Sequence, residues 1–343
     1  MVDVAVIGAG AMGSATAWWL ARRDFDVVLL EQFGPGHTRG SSHGGSRIFR
    51  LAYDDPEYVR MAQEALPLWR ELEDDSGRPL LDRTGALDHG DAVAVGRIAG
   101  ALSARGAPHE VLAAGAARER WPGMRFDGDV LFHPDGGRCR ADDTVAALQA
   151  RAAAHGADVR FGVAAALRVR GDRVEVDAGD ETLRPATAVV TAGAWVAKVL
   201  GDAAPEVTVT QEQVQHFVPH DDGEWPSFIH HRPPWIYGLR TPGEGVKVDE
   251  HHTGPVVDPD VRARRDLDAQ ARVVRYVEEW FPGLDPTPVH TTECLYTTTP
   301  DESFVLERRG PIVLGSPCSG HGFKFTPLIG RMLADLATAP GSG

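Results

Sequence analysis

The chain has 343 residues, 43% of them hydrophobic, which is more than one typical core requires and points to two domains or two interleaved ones. Thirty-five basic against forty-nine acidic side chains leave a net charge of −14, which argues against nucleic acid or an anionic membrane as the main partner but leaves local basic clusters able to bind small anions. The cysteines Cys139, Cys294 and Cys318 are an odd set without CxxC spacing, so neither a disulfide framework nor a cysteine zinc site is expected, and a reducing, cytoplasmic setting fits best.

The chain opens on "MVDVAVIGAG", a strand and a glycine loop with no basic leader or cleavable hydrophobic segment, and no apolar run reaches the length of a membrane span. "VDVAVIG", "AMGSATAWWLARR" and "DVVLLE" read as strand, helix and strand, a βαβ unit of the parallel-sheet type. "GPGHTRGSSHGGSRIFR", Gly34 to Arg50, is too rich in glycine and serine for regular structure, and a long loop in a compact domain is usually functional. From Pro56 an amphipathic packing helix carries Val59, Ala62, Leu66, Trp69 and Leu72 on one face, with Pro67 as a candidate kink. "DDTVAALQARAAAHG" is a helix with Asp142 or Asp143 as N-cap and Gly156 at its C-terminal end. "ALRVRGDRVEVDAGDETLR" alternates with period two about Gly171-Asp172, a hairpin, and "TAVVTAGAW" is a buried strand ending in a small-residue turn. Between about Val207 and His290 come alternating strands, the proline-rich "HRPPWIYG" and one long helix, "DLDAQARVVRYVEEWF". The end repeats the opening order of strand, glycine-rich loop and helix, and the closing "GSG" reads as a disordered tail. The nucleotide-type elements fall at 1–80, 135–206 and 291–343, so a second domain at 81–134 and 207–290 is expected to be inserted between them.

Five clusters carry chemistry. Gly8-Ala9-Gly10-Ala11-Met12-Gly13 lies between a strand and a helix, with Glu31 at the end of the next strand. The glycines permit a tight turn, close approach of backbone to a pyrophosphate and close helix packing, while the helix N-terminus attracts the phosphates. Glu31 can accept both ribose hydroxyls and would repel a 2′-phosphate, which argues against NADP but does not separate FAD from NAD. "HGGSRIFR", His43 to Arg50, gathers a histidine and two arginines suited to a carboxylate or a flavin edge. Arg47 and Arg50 share a face if the loop turns into helix and otherwise point apart; a solvated loop is the competing reading. In "YGLRTPGEGVKVDEHHTG", with Tyr237 at its start, Lys247 stands on the opposite strand face from both neighbouring valines, a pattern that exposed lysines also show, and His251-His252 fits either a site or a solvated turn. "SGHGFKF", Ser319 to Phe325, opens the last helix, so backbone amides, the positive helix end and Lys324 face whatever lies in the loop; aromatic packing is the alternative. "TTECLYTTTPDES" leaves Cys294 either a covalent role or that of a buried spectator.

In this order, and over nearly the whole chain, GAGAMG, "SSHGGSRIFR", "VVTAGAW", "GVKVDEH", "ECLYTTTPDESF" and "SGHGFKF" resemble the monomeric sarcosine oxidase and N-methyltryptophan oxidase family within the D-amino-acid-oxidase-like flavoproteins. The resemblance implies an α/β fold: a Rossmann-type FAD-binding domain with an interleaved mixed-sheet substrate domain. It implies that Cys294 carries FAD covalently through the 8α-methyl group and that Cys139 and Cys318 are inert thiols. His43 and Arg47 would lie beside the flavin ring and Tyr296 next to its link. The remaining implied FAD contacts are Gly8, Gly10, Ala11, Met12, Gly13, Glu31, Gln32, Ser46, Val163, Gly193, Trp195, Gly320, His321, Gly322, Phe323 and Lys324. Arg50 with Lys324 would hold a substrate carboxylate, Lys247 would activate oxygen, and His251 and Tyr237 would line the substrate pocket. The implied reaction is oxidation of a secondary, N-methylated or cyclic, amino acid by a monomeric enzyme without a metal. Hydride passes to flavin N5, the imine hydrolyses, and O2 becomes H2O2. A flavin dehydrogenase and a non-catalytic dinucleotide-binding protein are the alternatives. Asp249 and Glu250 depart from the family, which has glycine and an aromatic there; they would raise the pKa of Lys247, favour a cationic substrate or face solvent. Trp235 falls where substrate-pocket variation is expected.

Overall fold

The strands Val4–Ile7 and Val27–Glu31 are buried at every position because both of their faces are covered, which is what an unbroken apolar run in a parallel sheet demands. In the computed structural model, which describes residues 2–339, they sit in a six-stranded sheet ordered Val305–Arg309, Ile312–Ser316, Thr187–Val190, Val4–Ile7, Val27–Glu31 and Asp158–Phe161. All neighbours are parallel except the antiparallel edge strand Val305–Arg309. Alternate side chains divide between two cores. Val4, Val6 and Leu29 join Trp18, Leu148 and Leu333, from the helices Ala11–Ala21, Ala141–Ala154 and Thr326–Thr338. Ala5, Ile7, Val28 and Leu30 instead meet Val174, Val176 and Leu183 of the small sheet formed by Ala165–Arg170, Arg173–Ala178 and Glu181–Leu183. The helices Ala11–Ala21 and Thr326–Thr338 approach closely: a Cβ added at Gly330 would lie 2.5 Å from that of Ala15.

The second sheet has eight strands, ordered His290–Thr298, Thr208–Phe217, Gly245–Glu250, Ile236–Thr241, Ser227–His231, Ala86–Gly90, Val130–His133 and Glu110–Leu112. It is mixed, with Ser227–His231 and Ala86–Gly90 parallel and the other neighbours antiparallel. One face is apolar: Leu87, Phe228, Val246 and Val248 pack with Val273, Val277 and Trp280 of the helix Leu267–Trp280, whose N-cap Asp266 accepts from the amides of Asp268 and Ala269. The other face carries Lys247, His231 and Asp88, and it closes over the cavities described below.

The structure corrects four local expectations. Gly34 to Arg50 is not wholly irregular, because it ends in the strand Arg47–Phe49, paired with Gly137–Cys139. Neither Asp142 nor Asp143 is the N-cap: Arg140 holds that position and both acids fall in the first turn, where Asp142 Oδ1 accepts from the Gly44 amide at 2.8 Å. Pro67 does not interrupt the helix Pro56–Ser76; it faces solvent, and Leu66 is only half-buried, while Met61, Ala65 and Leu68 join Val59, Ala62, Trp69 and Leu72 inside. The boundary expected at residue 291 cuts the strand His290–Thr298, which pairs along its whole length with Thr208–Phe217 in the eight-stranded sheet. The hairpin about Gly171-Asp172 forms as read, with Gly171 at φ +63°. The tail at 341–343 lies outside the described residues, among which no helix is long and apolar enough to cross a membrane.

Candidate active site

The glycine loop is shaped by close packing. Gly8 turns at φ +95°, and a Cβ there would meet the Thr191 carbonyl oxygen at 2.6 Å; one at Gly13 would lie 1.9 Å from the Gly8 oxygen. Glu31 locks the loop from the next strand, accepting from the Ala9 amide at 2.9 Å and the Phe33 amide at 3.0 Å, with His37 Nε2 at 3.5 Å. Burial alone would raise its pKa, but the bonds from His37, Phe33 and Ala9 hold it below the ordinary value. The helix Ala11–Ala21 has no acid in its first turn, so its positive end stays available to an anion.

From this loop a cavity of about 610 Å³ runs past Gly10, Ala11, Met12, Glu31, Gln32, Val163, Gly193 and Trp195 to His43, Arg47, Cys294, Tyr296, Gly320, Gly322 and Phe323. A second pocket of about 120 Å³ adjoins it and shares His43, Arg47, Cys294, Tyr296, Gly320 and Phe323. Arg50, Tyr237, Lys247, His251, His321, Lys324 and Trp235 line this smaller space. Of the residues expected at the site, only Gly13 and Ser46 touch neither cavity. Gly13 backs the glycine loop, and Ser46 is buried behind Lys247 with its hydroxyl 2.5 Å from that of Thr241.

Strand geometry places the cations. Arg47 opens the strand Arg47–Phe49 and Arg50 follows it, so no helix aligns them, yet both reach the smaller pocket. The Arg47 guanidinium is held by backbone carbonyls, Ser46 at 2.8 Å, Ser41 at 3.0 Å and His43 at 2.5 Å. Lys247 is buried rather than exposed: alternation sends Val246 and Val248 to the helix side and its ammonium to the cavity, where Nζ donates to the Ser46 oxygen at 2.5 Å. Burial, with Arg47 second, lowers its pKa to about 7, so the two neighbouring acids do not set it. Glu250 points to the other face and pairs with Arg272 at 2.7 Å. Asp249 is buried on the Lys247 face, and burial, with Glu212 second, keeps its carboxyl well above the usual range. Lys324 donates to Tyr53 Oη at 2.8 Å and to the His321 oxygen, and burial and Arg50 depress its pKa strongly. Arg50 lies 4.3 Å over the Tyr53 ring, so two cations flank one phenol.

Gly320 sits at the junction of the two cavities at φ +73°. A Cβ there would lie 2.6 Å from the Tyr296 ring and 2.8 Å from that of His251. Three histidines of the site are held neutral: burial, then Arg47, brings His43 to about 4, burial, then Lys324, brings His321 to about 3, and burial, then His252, pushes His251 well down. His43 Nε2 is buried without a hydrogen-bond partner. Cys294 is buried, and its thiol is pushed up to about 11 by burial, against the pull of Arg47 and Lys247. Cys139 and Cys318 are free thiols, Cys139 fully buried.

Two functional-looking residues escaped the sequence reading. Asp88 is fully buried; its carboxylate accepts from His231 Nε2 at 2.8 Å and stands 3.9 Å from Arg50, behind the pocket wall. Tyr53 bridges the two cations. The available signal for Asp88 was an acid next to Leu87 inside the strand Ala86–Gly90; for Tyr53 there was none, since Lys324, which donates to its hydroxyl, comes from the far end of the chain.

These residues fit FAD. The glycine-backed loop with Glu31 suits the dinucleotide part, and the far end offers Arg47, Lys247, an unpartnered His43 nitrogen and a cysteine to a ring with polar edges. A dinucleotide cradle joined to a cation-lined pocket beneath a mixed sheet is the plan of a flavin-dependent oxidoreductase. The chain belongs to the FAD dependent oxidoreductase (DAO) family, whose sequence model matches residues 3–336. It is 35% identical to the peroxisomal sarcosine oxidase of Homo sapiens over 363 residues, covering 98% of this chain and 92% of that one. To the monomeric sarcosine oxidase of Bacillus sp. (strain NS-129) it is 31% identical over 359 residues, with the same coverage. The open form of NikD, an unusual amino acid oxidase essential for nikkomycin biosynthesis, matches with a TM-score of 0.88 at 28% identity, over 99% of this chain and 95% of that one.

The Asp88 environment yields a test in the stability of the protein. Burial would raise its pKa, but His231 and then Arg50 outweigh it and keep the carboxylate below its ordinary 3.8. A lowered folded-state pKa means that the ionised group stabilises the fold above pH about 4 and loses that contribution as pH falls through the folded value. Asp88→Asn should therefore cost about 3 kcal/mol in urea unfolding at pH 7 and at pH 5, with the gap to wild type narrowing below about pH 4. A gap that stays constant through the acid range would mean that the carboxyl is not ionised in the native protein.

Proposed function

We propose that the protein oxidises a small secondary amino acid, N-methylated or cyclic, with FAD bound covalently through Cys294 and O2 as the acceptor. The observation that carries this reading is the placing of Arg50 and Lys324 around Tyr53 on the wall of a pocket continuous with the Cys294 cavity. The relatives named sarcosine oxidases support the same class, since sarcosine is an N-methyl amino acid. Bound FAD supplies the redox chemistry, taking two electrons from the amine and passing them to O2, which with two protons leaves as H2O2. The imine product then hydrolyses in water.

The chain's own residues bind and orient. A carboxylate arriving between Arg50 and Lys324 offsets the burial and the Arg50 repulsion that depress the lysine, and so fixes one end of the substrate while the amine faces the shared mouth of the two cavities. His251, Tyr237, Tyr296 and Trp235 enclose the remainder in aromatic surface. Lys247, with its proton on Nζ below pH about 7, offers a cation to charge developing near the ring system. Arg47 and Lys247 favour the thiolate, the nucleophilic form in which Cys294 would hold the flavin.

Covalent attachment predicts that acid-precipitated, denatured protein stays yellow and heavier by one FAD, whereas Cys294→Ala releases its flavin to the supernatant. Free flavin from the wild-type protein would remove the claim. For Lys247, stopped-flow mixing should show that Lys247→Met slows the oxygen-dependent step far more than the amine-dependent one. In the wild type that step should slow as pH rises through about 7, as the ammonium loses its proton. Equal slowing of both half-reactions assigns the lysine to substrate or structure instead. The substrate class is checked by anaerobic flavin bleaching with N-methyl and cyclic amino acids. In that assay, Arg50→Gln or Lys324→Gln should weaken binding about tenfold to over a hundredfold, from roughly 1.5–3 kcal/mol per charge-assisted contact. Amide analogues should lose nothing further; equal losses for acids and amides overturn the clamp.

A further inference from the structure

The apolar face of the eight-stranded sheet holds a polar cluster that the oxidase reading does not use. His89 and His230 stand directly opposite one another on the parallel neighbours Ala86–Gly90 and Ser227–His231. Their rings stack with centroids 4.1 Å apart. His89 is 1% exposed, and neither of its ring nitrogens has a hydrogen-bond partner. A neutral imidazole always carries one N–H donor and one acceptor, so burying both without partners leaves a standing cost that some ligand can remove. His230 is already oriented: its Nδ1 is 2.8 Å from Tyr276 Oη, which leaves Nε2 for another contact. Asp127, exposed at the edge of the cluster, completes a set in which one ligating atom from each of the three residues lies within 4.8 Å of the others.

We propose that His89, His230 and Asp127 form a binding site for a divalent cation of the zinc class, distinct from the flavin and substrate cavities. The donor set of two imidazole nitrogens and one carboxylate oxygen suits a borderline metal, and a hydrogen-bonded outer partner, here Tyr276, is the usual means of fixing a ligating histidine. Metal–nitrogen bonds of about 2.0–2.1 Å bring ligand atoms to roughly 3.4 Å of each other in a tetrahedral site, so binding draws in any pair that stands farther apart, within the present limit of 4.8 Å. The exposed Asp127 side chain can make that movement. Arg232, which lies over the Trp280 ring at 5.7 Å and acts on His230, is the opposing charge. The cation ties together two strands whose other face supplies Asp88 and His231 to the back of the pocket.

The test is equilibrium dialysis of the flavin-loaded protein, stripped with chelator, against zinc alone in a non-coordinating buffer, with bound metal counted by mass spectrometry. About one zinc per chain is expected at roughly 100 µM, with a rise in thermal unfolding temperature. His89→Phe, which keeps an aromatic in the same packing, should abolish that uptake, and Asp127→Asn, an exposed change that leaves the core intact, should weaken it about tenfold or more. His220→Ala, which removes an exposed histidine elsewhere, should leave it unchanged. No saturable uptake by wild type, or uptake that survives both His89→Phe and Asp127→Asn, overturns the proposal. Flavin content is read in the same samples and turnover is not measured, so the outcome is independent of the oxidase reading.

Discussion

Positive charge buried without matching negative charge is the constraint around which this site is arranged. Arg47, Lys247 and Lys324 are each held by main-chain carbonyl oxygens, and Arg50 reaches the Ala52 oxygen and only distantly the Asp88 carboxylate. Carbonyls solvate a cation without neutralising it, so the field directed into the cavities survives. The cost is visible in the depressed lysines. It also explains why the segment from Gly34 to Arg50 is ordered: its carbonyls at Ser41, His43 and Ser46 close around the guanidinium and the ammonium, which makes the loop a shell for charge.

The eight-stranded sheet makes this arrangement possible through the two-residue period of a strand. Gly245–Glu250 sends Val246 and Val248 into the aromatic core under Trp280, and with the same backbone turns Lys247 to the cavity. Ala86–Gly90 and Ser227–His231 behave alike, with Leu87 and Phe228 on one side and Asp88 and His231 on the other. Hydrophobic burial on one face thus fixes charge geometry on the other, and slipping any of these strands by one residue would exchange core and site.

Much of this was legible from the residues alone, and the reasons differ by element. The βαβ unit and the glycine loop declare themselves because apolar runs and glycines are local signals, and the cations Lys247, Lys324 and Arg50, singled out from their motifs, line one pocket. What escaped reading was long-range. In the helix Ala141–Ala154 the Asp142 side chain caps nothing and instead accepts from Gly44, far back in the chain. The strand His290–Thr298 joins the second sheet because Thr208–Phe217 offers it a full-length partner, a fact absent from its own composition. Tyr53 and Asp88 become meaningful only once folding places Lys324 and Arg50 beside them.

Gly320 bears on how such a site can change over generations. A side chain at that position would run into Tyr296 and His251 and would need an unfavourable left-handed backbone, so the wall shared by the two cavities is closed to gradual substitution. Trp235 meets the rings of His231 and His251 but is almost half exposed, so part of its surface is free of packing. Drift in substrate preference among descendants of this chain therefore has an open direction and a barred one, with new amines accommodated by remodelling the tryptophan side while Gly320 stays as it is.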